Sequence, residues 1–226
     1  FPDPSDPKDW RIIHDTSGPR GDGVNGYIDK YSFSYKWATA RHCISLAQAF
    51  GKDCHMAKRD WSEAFMQCVV IPEDRELLGL CWKGQYYQYT RFPFGSRASA
   101  GIHEVLQDLF AWALEHHYGI KKSLGMQVTH YVDDHFIAGA TKALCQQAET
   151  IFDHAMGDLG IIDKPSKRES ARQVLTILGV KIDIPNGQAS MSMEKVQKGL
   201  KLLAAIRPRK SVPKRELQKA VGVIVY

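Results

Sequence analysis

Apolar positions recur at helical spacing in four parts of the chain, and turn residues separate these parts. Such periodicity predicts amphipathic helices, whose ends are marked by capping residues and glycine. In the second helix the predicted buried stripe includes Val105, Leu109 and Phe110. The predicted helices are Trp37–Phe50 before Gly51, a long helix from its N-cap Ser99 to Gly119, a helix from its cap Thr141 to Gly160, and Glu194–Ile206 before Pro208.

Apolar runs bounded by turn residues predict strands between these helices. The predicted extended runs are Trp10–His14, a run ending at Asp60, Cys68–Ile71, Leu77–Trp82, Gln85–Thr90, Val128–Tyr131, Phe136–Ala138 and Val174–Ile184. Lys83-Gly84 and Asp133-Asp134 each split two such runs, which indicates hairpins. Hairpins mixed with helices predict an α+β fold, with an antiparallel sheet and helices on one face. A doubly wound nucleotide-binding fold is disfavoured, since the chain has no Gly-rich phosphate-binding loop.

Composition and charge narrow the class of protein. The 226 residues are 44% hydrophobic and 24% charged, as in globular proteins of one large domain or two intimate subdomains. Five scattered cysteines without a C-x-x-C pair predict reduced thiols in a cytoplasmic or nuclear protein, rather than disulfides or a cysteine zinc site. No apolar run approaches the roughly 18 residues of a membrane helix, and no leader precedes the first loop. The net charge of +5 suits a phosphate-rich partner, although a solvated surface explains each basic cluster equally well.

The candidate chemistry lies in carboxylates that are far apart in sequence. Tyr131-Val132-Asp133-Asp134 places two like charges at a predicted hairpin turn, where divalent cations would relieve their repulsion. Asp60 ends a predicted strand, and antiparallel pairing could bring it beside that turn. Three hard oxygen ligands would suit two magnesium ions, with manganese as the alternative. A solvated turn explains the Asp-Asp pair as well, and Asp60 with Glu63 fits a helix capping box.

Five segments in order resemble the conserved motifs of reverse transcriptases. Asp60–Phe65, Phe92-Pro93-Phe94-Gly95, Tyr131–Asp134 and Leu178-Gly179 are similar to motifs A, B, C and E, and residues 10–15 with 21–28 are similar to the preceding fingers segment. Without the other motifs, the second segment is also explained as a plain strand-to-helix loop. The resemblance covers nearly the whole chain. It is greatest for DIRS-like retrotransposons, followed by long-terminal-repeat elements.

The resemblance implies a right-hand polymerase palm with fingers, acting as an RNA-directed DNA polymerase. The implied divisions are 1–55 for the N-terminal fingers, 56–95 for motif A and the fingers hairpin, 96–190 for the palm and 191–226 for a truncated thumb or connection. The implied partners are an RNA or DNA template with its primer and dNTPs, with no membrane, and the oligomeric state stays open. We expect the chain to be a piece of a longer protein.

The same resemblance assigns roles to individual residues. Asp60, Asp133 and Asp134 would hold the two magnesium ions, with the backbone carbonyl of Trp61 as an additional ligand. Arg11, Trp61, Ala64, Phe65, Phe94, Gly95 and Lys167 would bind the dNTP, and Leu178 and Gly179 would lie in the primer grip. Arg11 would contact the triphosphate, with Lys8 as a second candidate, and Phe65 would exclude a ribose 2′-hydroxyl. Lys167, with Lys164 as its rival, would act near the pyrophosphate.

The chain departs from the family pattern at three places. Ser99-Ala100-Gly101 stands where a proline is usual, Lys58 and Arg59 replace apolar residues before Asp60, and His135 follows the aspartates. Two alternatives to the polymerase remain: a scaffold that binds RNA without catalysis, and an RNA-templated RNA polymerase. Retention of all three carboxylates disfavours the first, and Phe65 disfavours the second.

Overall fold

A computed structural model describes residues 2–3, 6–10, 12–18, 22–29 and 31–225. Within them six α-helices and eleven strands alternate irregularly along the chain, with four short 3₁₀ helices between them. The helices are α1 (Val24–Tyr27), α2 (Ala40–Phe50), α3 (Arg97–His116), α4 (Lys142–Asp158), α5 (Met193–Ile206) and α6 (Lys214–Val225). The strands are β1 (Pro2–Asp3), β2 (Asp6–Trp10), β3 (His55–Asp60), β4 (Gly79–Trp82), β5 (Gln85–Gln88), β6 (Met126–Tyr131), β7 (Asp134–Gly139), β8 (Glu169–Arg172), β9 (Val174–Ile177), β10 (Val180–Asp183) and β11 (Gln188–Met191).

A four-stranded antiparallel sheet, in the order β6-β7-β3-β8, forms the centre of the fold. Helices α3 and α4 cover one face, where Phe110 and Phe152 pack on Ile137. Helix α2 and the small sheet β9-β10-β11 pack against the other face, around Phe136 and Leu175. Alternating strand residues supply the two cores, because successive side chains point to opposite faces. The predicted α+β class with an antiparallel sheet is confirmed, and the division into fingers, palm and thumb stays a prediction.

Several local predictions agree with the structure. Gly51 ends α2 with φ +79°, and Thr141 caps α4 by accepting a hydrogen bond from the Leu144 amide at 3.3 Å. Lys83 and Gly84 both have positive φ between β4 and β5, as a type I′ hairpin turn requires.

Other local predictions are wrong. Helix α3 begins after Ser96 rather than Ser99, whose hydroxyl donates instead to the Pro93 carbonyl at 2.9 Å. The capping box of Asp60 and Glu63 does not form, since Asp60 ends a strand and Glu63 is left-handed with φ +46°. The run Val174–Ile184 is two strands, because Leu178-Gly179 forms a tight turn with positive φ.

The buried face of α3 also differs from the predicted stripe. Val105 and Leu109 are exposed, whereas His103 and Gln107 are fully buried beside Phe110. The helix therefore presents polar side chains to the sheet at the end where the candidate site lies.

Candidate functional site

The sheet register brings the three predicted aspartates together. Asp60 at the end of β3 lies opposite Asp134 at the start of β7, and residues so paired have Cα atoms about 4.5–5.5 Å apart. The next amide, of Trp61, donates to the Asp133 carbonyl at 3.0 Å. Residues more than seventy positions apart in sequence thus lie at one end of the sheet. Their role as metal ligands stays a prediction.

Asp60 is a buried carboxyl group with charged neighbours. It is 1% exposed, and burial raises its pKa to about 6, an effect that the negative charges of Asp133 and Asp134 reinforce. Lys167 opposes this rise, because its Nζ donates to Asp60 Oδ2 at 2.5 Å. The lysine chosen from the sequence therefore contacts the first aspartate directly. This ammonium group stabilises the ionised form of the buried carboxylate.

Asp134 also faces a lysine. Lys58 Nζ lies 2.8 Å from Asp134 Oδ1, close enough for an ion pair, although that buried oxygen lacks a hydrogen bond of good geometry. A buried carboxylate oxygen without a well-formed hydrogen bond is suited to a divalent cation, and the three aspartates offer the oxygen ligands that magnesium prefers. The residues present thus fit the predicted magnesium site.

Buried polar groups of α3 support the hairpin that carries Asp133 and Asp134. Val132 has φ +53°, and its carbonyl accepts a hydrogen bond from Gln107 Nε2 at 2.9 Å. Gln107 Oε1 lies 2.7 Å from His135 Nε2, and Gln107 Nε2 lies 3.3 Å from His103 Nε2. Of these residues, His103 and Gln107 were not predicted from the sequence, and His135 was noted only as a departure from the family pattern. The only available signal was a histidine and a glutamine four residues apart within an amphipathic helix.

A cavity of about 430 Å³ opens beside the aspartates. Phe65 and Phe94 are in contact in its wall, with ring centroids 5.2 Å apart. Of the predicted dNTP-binding residues, this cavity is lined by Trp61, Ala64, Phe65, Phe94 and Lys167, together with Asp60, Asp133 and Lys164. The arrangement forms an acidic and aromatic pocket with lysines at its edge. Which of the two lysines acts on substrate stays a prediction.

The turn that contains Gly95 is held by the N-terminal segment. Gly95 has φ +114°, and a Cβ atom there would lie 1.9 Å from the His14 carbonyl oxygen, so only glycine fits. The Gly95 carbonyl accepts hydrogen bonds from Thr16 Oγ1 at 2.8 Å and Asn25 Nδ2 at 3.0 Å. Asn25 Oδ1 also accepts from the Arg97 amide, and so joins the turn to the start of α3.

The remaining predicted residues either do not line this cavity or fall outside the described residues. Leu178 and Gly179 form the β9–β10 turn, and Leu178 borders a crevice with Tyr131 and Asp134. Arg11 lies outside the described residues, as does the side chain of Lys8. All five cysteines are free, and four of them are buried.

Comparison with known proteins places this fold among retroviral reverse transcriptase domains. The structure of a foamy viral protease-reverse transcriptase dRH in complex with double-stranded DNA matches with a TM-score of 0.66 and 18% identity, over 95% of this chain and 33% of that one. A foamy viral protease-reverse transcriptase in complex with an RNA/DNA hybrid matches with a TM-score of 0.54 and 20% identity, over 75% and 20% of the two chains.

The amino-acid sequence is similar to part of a retroviral polyprotein. The Gag-Pol polyprotein of avian reticuloendotheliosis virus is 27% identical over 177 residues, which are 74% of this chain and 14% of the polyprotein. No model of a known protein family matches the sequence. Sequence and fold together support a reverse-transcriptase-related region, and the chain spans only a third or less of these relatives. Among the described helices, none is both long and apolar enough to cross a membrane.

Proposed function

We propose that this chain is the fingers and palm of an RNA-directed DNA polymerase, which adds dNTPs to a primer 3′-hydroxyl. The observation that carries the proposal is the convergence of Asp60, Asp133 and Asp134 at one end of the sheet, where Asp60 and Asp133 line a cavity of nucleotide size. The nucleic-acid complexes of the foamy viral proteins support a template–primer partner. The resemblance to DIRS-like and long-terminal-repeat retrotransposons supports a retroelement origin.

The side chains would divide the work of phosphoryl transfer. Asp60, Asp133 and Asp134, with the Trp61 carbonyl, would hold two magnesium ions, which would activate the primer hydroxyl and neutralise the triphosphate. Phe65 and Phe94 would position the sugar and base. Lys167, already bonded to Asp60, would lie near the leaving pyrophosphate and supply a proton. Positioning and charge stabilisation would account for most of the rate.

Primer extension on a primed RNA homopolymer tests the proposal. We expect incorporation of dNTPs that requires Mg²⁺ or Mn²⁺. Asp60→Asn and Asp134→Asn should each lower it by at least about a hundredfold, because each removes a carboxylate that would hold a magnesium ion against the negative charge of the transition state. Asp74→Asn, at an exposed carboxylate outside the cavity, is the matched control and should retain activity. A folded wild-type chain that binds template–primer but incorporates nothing with either cation would favour the RNA-binding scaffold instead.

A further inference from the structure

Glu104, Asp108 and His130 form a second cluster of metal-ligating side chains, apart from the three aspartates. Glu104 and Asp108 are four residues apart on α3 and so share one face of the helix, and His130 lies on the edge strand β6. His130 Nε2 is 3.3 Å from Glu104 Oε1 and 3.6 Å from Asp108 Oδ1. One ligand atom from each of the three residues lies within 4.8 Å of the others.

The separations suit a bound ion better than a direct ion pair. Zinc–nitrogen and zinc–oxygen bonds of about 2.0–2.1 Å place neighbouring tetrahedral ligands about 3.3 Å apart. A charge-assisted hydrogen bond would instead draw the atoms to about 2.7–2.9 Å. The observed distance of 3.3 Å equals the first spacing, that of 3.6 Å is slightly longer, and both exceed the second, while the two carboxylate oxygens lie within 4.8 Å of each other.

Glu104 provides independent evidence for a ligand. It is only 5% exposed, and its Oε2 is buried without a hydrogen-bond partner. In the described part of the chain, no lysine or arginine pairs with this carboxylate, whose ion-pair contact is His130. A buried carboxylate without a strong cation is costly, and a divalent ion would remove that cost.

We propose that Glu104, Asp108 and His130 bind a divalent transition-metal ion, of which Zn²⁺ is the best match. The imidazole disfavours Mg²⁺ and Ca²⁺, which prefer oxygen ligands. The side chain of Asp108 is 67% exposed, which gives the ion a route from solvent and leaves a position for water. The ion would link α3 to the strand that leads into Asp133 and Asp134. Its role would be structural: α3 already holds the Asp133–Asp134 hairpin through the hydrogen bond from Gln107, and the ion would add a second link between the same helix and β6.

Zn²⁺ affinity of the full chain, measured by competition with a chromophoric chelator, tests the site. We expect Asp108→Asn and His130→Gln each to weaken binding by at least about tenfold, since the first removes the charge of a ligand and the second removes the imidazole nitrogen. His154→Gln is the matched control, because His154 also pairs with an acidic side chain, that of Asp158 at 3.1 Å, but within the described ranges no third ligand completes a cluster there. Its affinity should equal that of the wild type.

A second variant excludes binding at the other carboxylate cluster. Asp134→Asn should leave the Zn²⁺ affinity of this site unchanged, and Co²⁺ should give an absorption spectrum that Asp108→Asn abolishes. Asp108 is exposed, so its variant should fold even if His130→Gln does not, which circular dichroism would check. The proposal is overturned if the wild type binds no Zn²⁺, or if Asp134→Asn weakens binding and Asp108→Asn does not.

Discussion

At the residue scale, Phe65 is held in place by aromatic neighbours. Its ring centroid lies 5.2 Å from that of Phe94 and 5.5 Å from that of His103, in a short 3₁₀ segment that follows the Trp61 peptide. The ring is half-buried, and its remaining surface borders the cavity beside Asp60. A ring fixed in this way cannot easily move aside for a larger sugar.

Replacing this ring should relax sugar selection. We expect Phe65→Ala to raise incorporation of rNTPs relative to dNTPs by roughly 10- to 100-fold, the usual value of one steric contact in a pocket. Single-nucleotide primer extension with each substrate would measure the ratio of kcat/KM values. Phe65→Tyr keeps the ring and should keep the discrimination. If Phe65→Ala leaves rNTP exclusion unchanged, the assignment of Phe65 as the sugar-selecting residue is wrong.

At the element scale, Arg59 links the central sheet to α4 through buried ion pairs. Arg59 is almost fully buried in β3. Its guanidinium donates to Glu149 Oε2 at 2.9 Å and to Asp153 Oδ1 at 2.9 Å. Glu149 Oε1 also accepts from the Ala171 amide, which ties β8 into the same network. Three elements therefore meet at one charged group inside the fold.

Removing this guanidinium should destabilise the protein strongly. We expect Arg59→Met to lower the free energy of unfolding by about 3–5 kcal/mol, because two acidic side chains would lose their buried partner. Urea denaturation followed by circular dichroism would measure the change. Arg172→Met is the control, since Arg172 pairs with Glu169 at the surface, and its effect should be much smaller. Equal effects of the two variants would show that the buried network contributes little.

At the scale of the whole molecule, buried titratable groups act in opposite directions on stability. Burial lowers the pKa of His103 from 6.5 to about 4, and the charge of nearby His130 adds to the effect. Burial likewise lowers the pKa of His135 well below its usual range. Burial raises the pKa of Asp60 from 3.8 to about 6. The two histidines therefore make the free energy of unfolding larger at neutral pH than in acid, whereas Asp60 makes it larger in acid than at neutral pH.

The contribution of His103 should appear as the pH falls. As the pH falls below 6.5, His103 becomes protonated in the unfolded chain, whereas in the folded protein it becomes protonated only near pH 4. Protonation therefore favours the unfolded chain, and the free energy of unfolding decreases across this window. The pKa difference corresponds to roughly 3 kcal/mol. Wild type should therefore lose that much relative to His103→Gln between pH 7 and pH 4, measured by urea denaturation. His117→Gln, at an exposed imidazole, is the control. Parallel curves for wild type and His103→Gln would contradict the prediction.

Local signals made much of this fold predictable. Turn glycines, the cap Thr141 and the hairpin around Asp133-Asp134 act over a few residues, and the structure agrees with each of them. The proximity of Asp60 to that hairpin depends on how β3 and β7 are aligned. The sequence was compatible with the observed register but did not determine it. Arg59 and Gln107 could not be placed, because a buried polar residue is specified by partners far away in sequence. Helical periodicity ranked Leu109 above Gln107 for the same reason.

The lysines beside the aspartates have a consequence for how the protein is handled. Lys167 and Lys58 form ion pairs with Asp60 and Asp134. These ion pairs reduce the repulsion between the aspartates, so we expect the acidic end of the sheet to be stable without added magnesium. A divalent ion arriving there must compete with two tethered ammonium groups. We therefore expect this end of the sheet to stay folded in EDTA, because both ammonium groups remain in place.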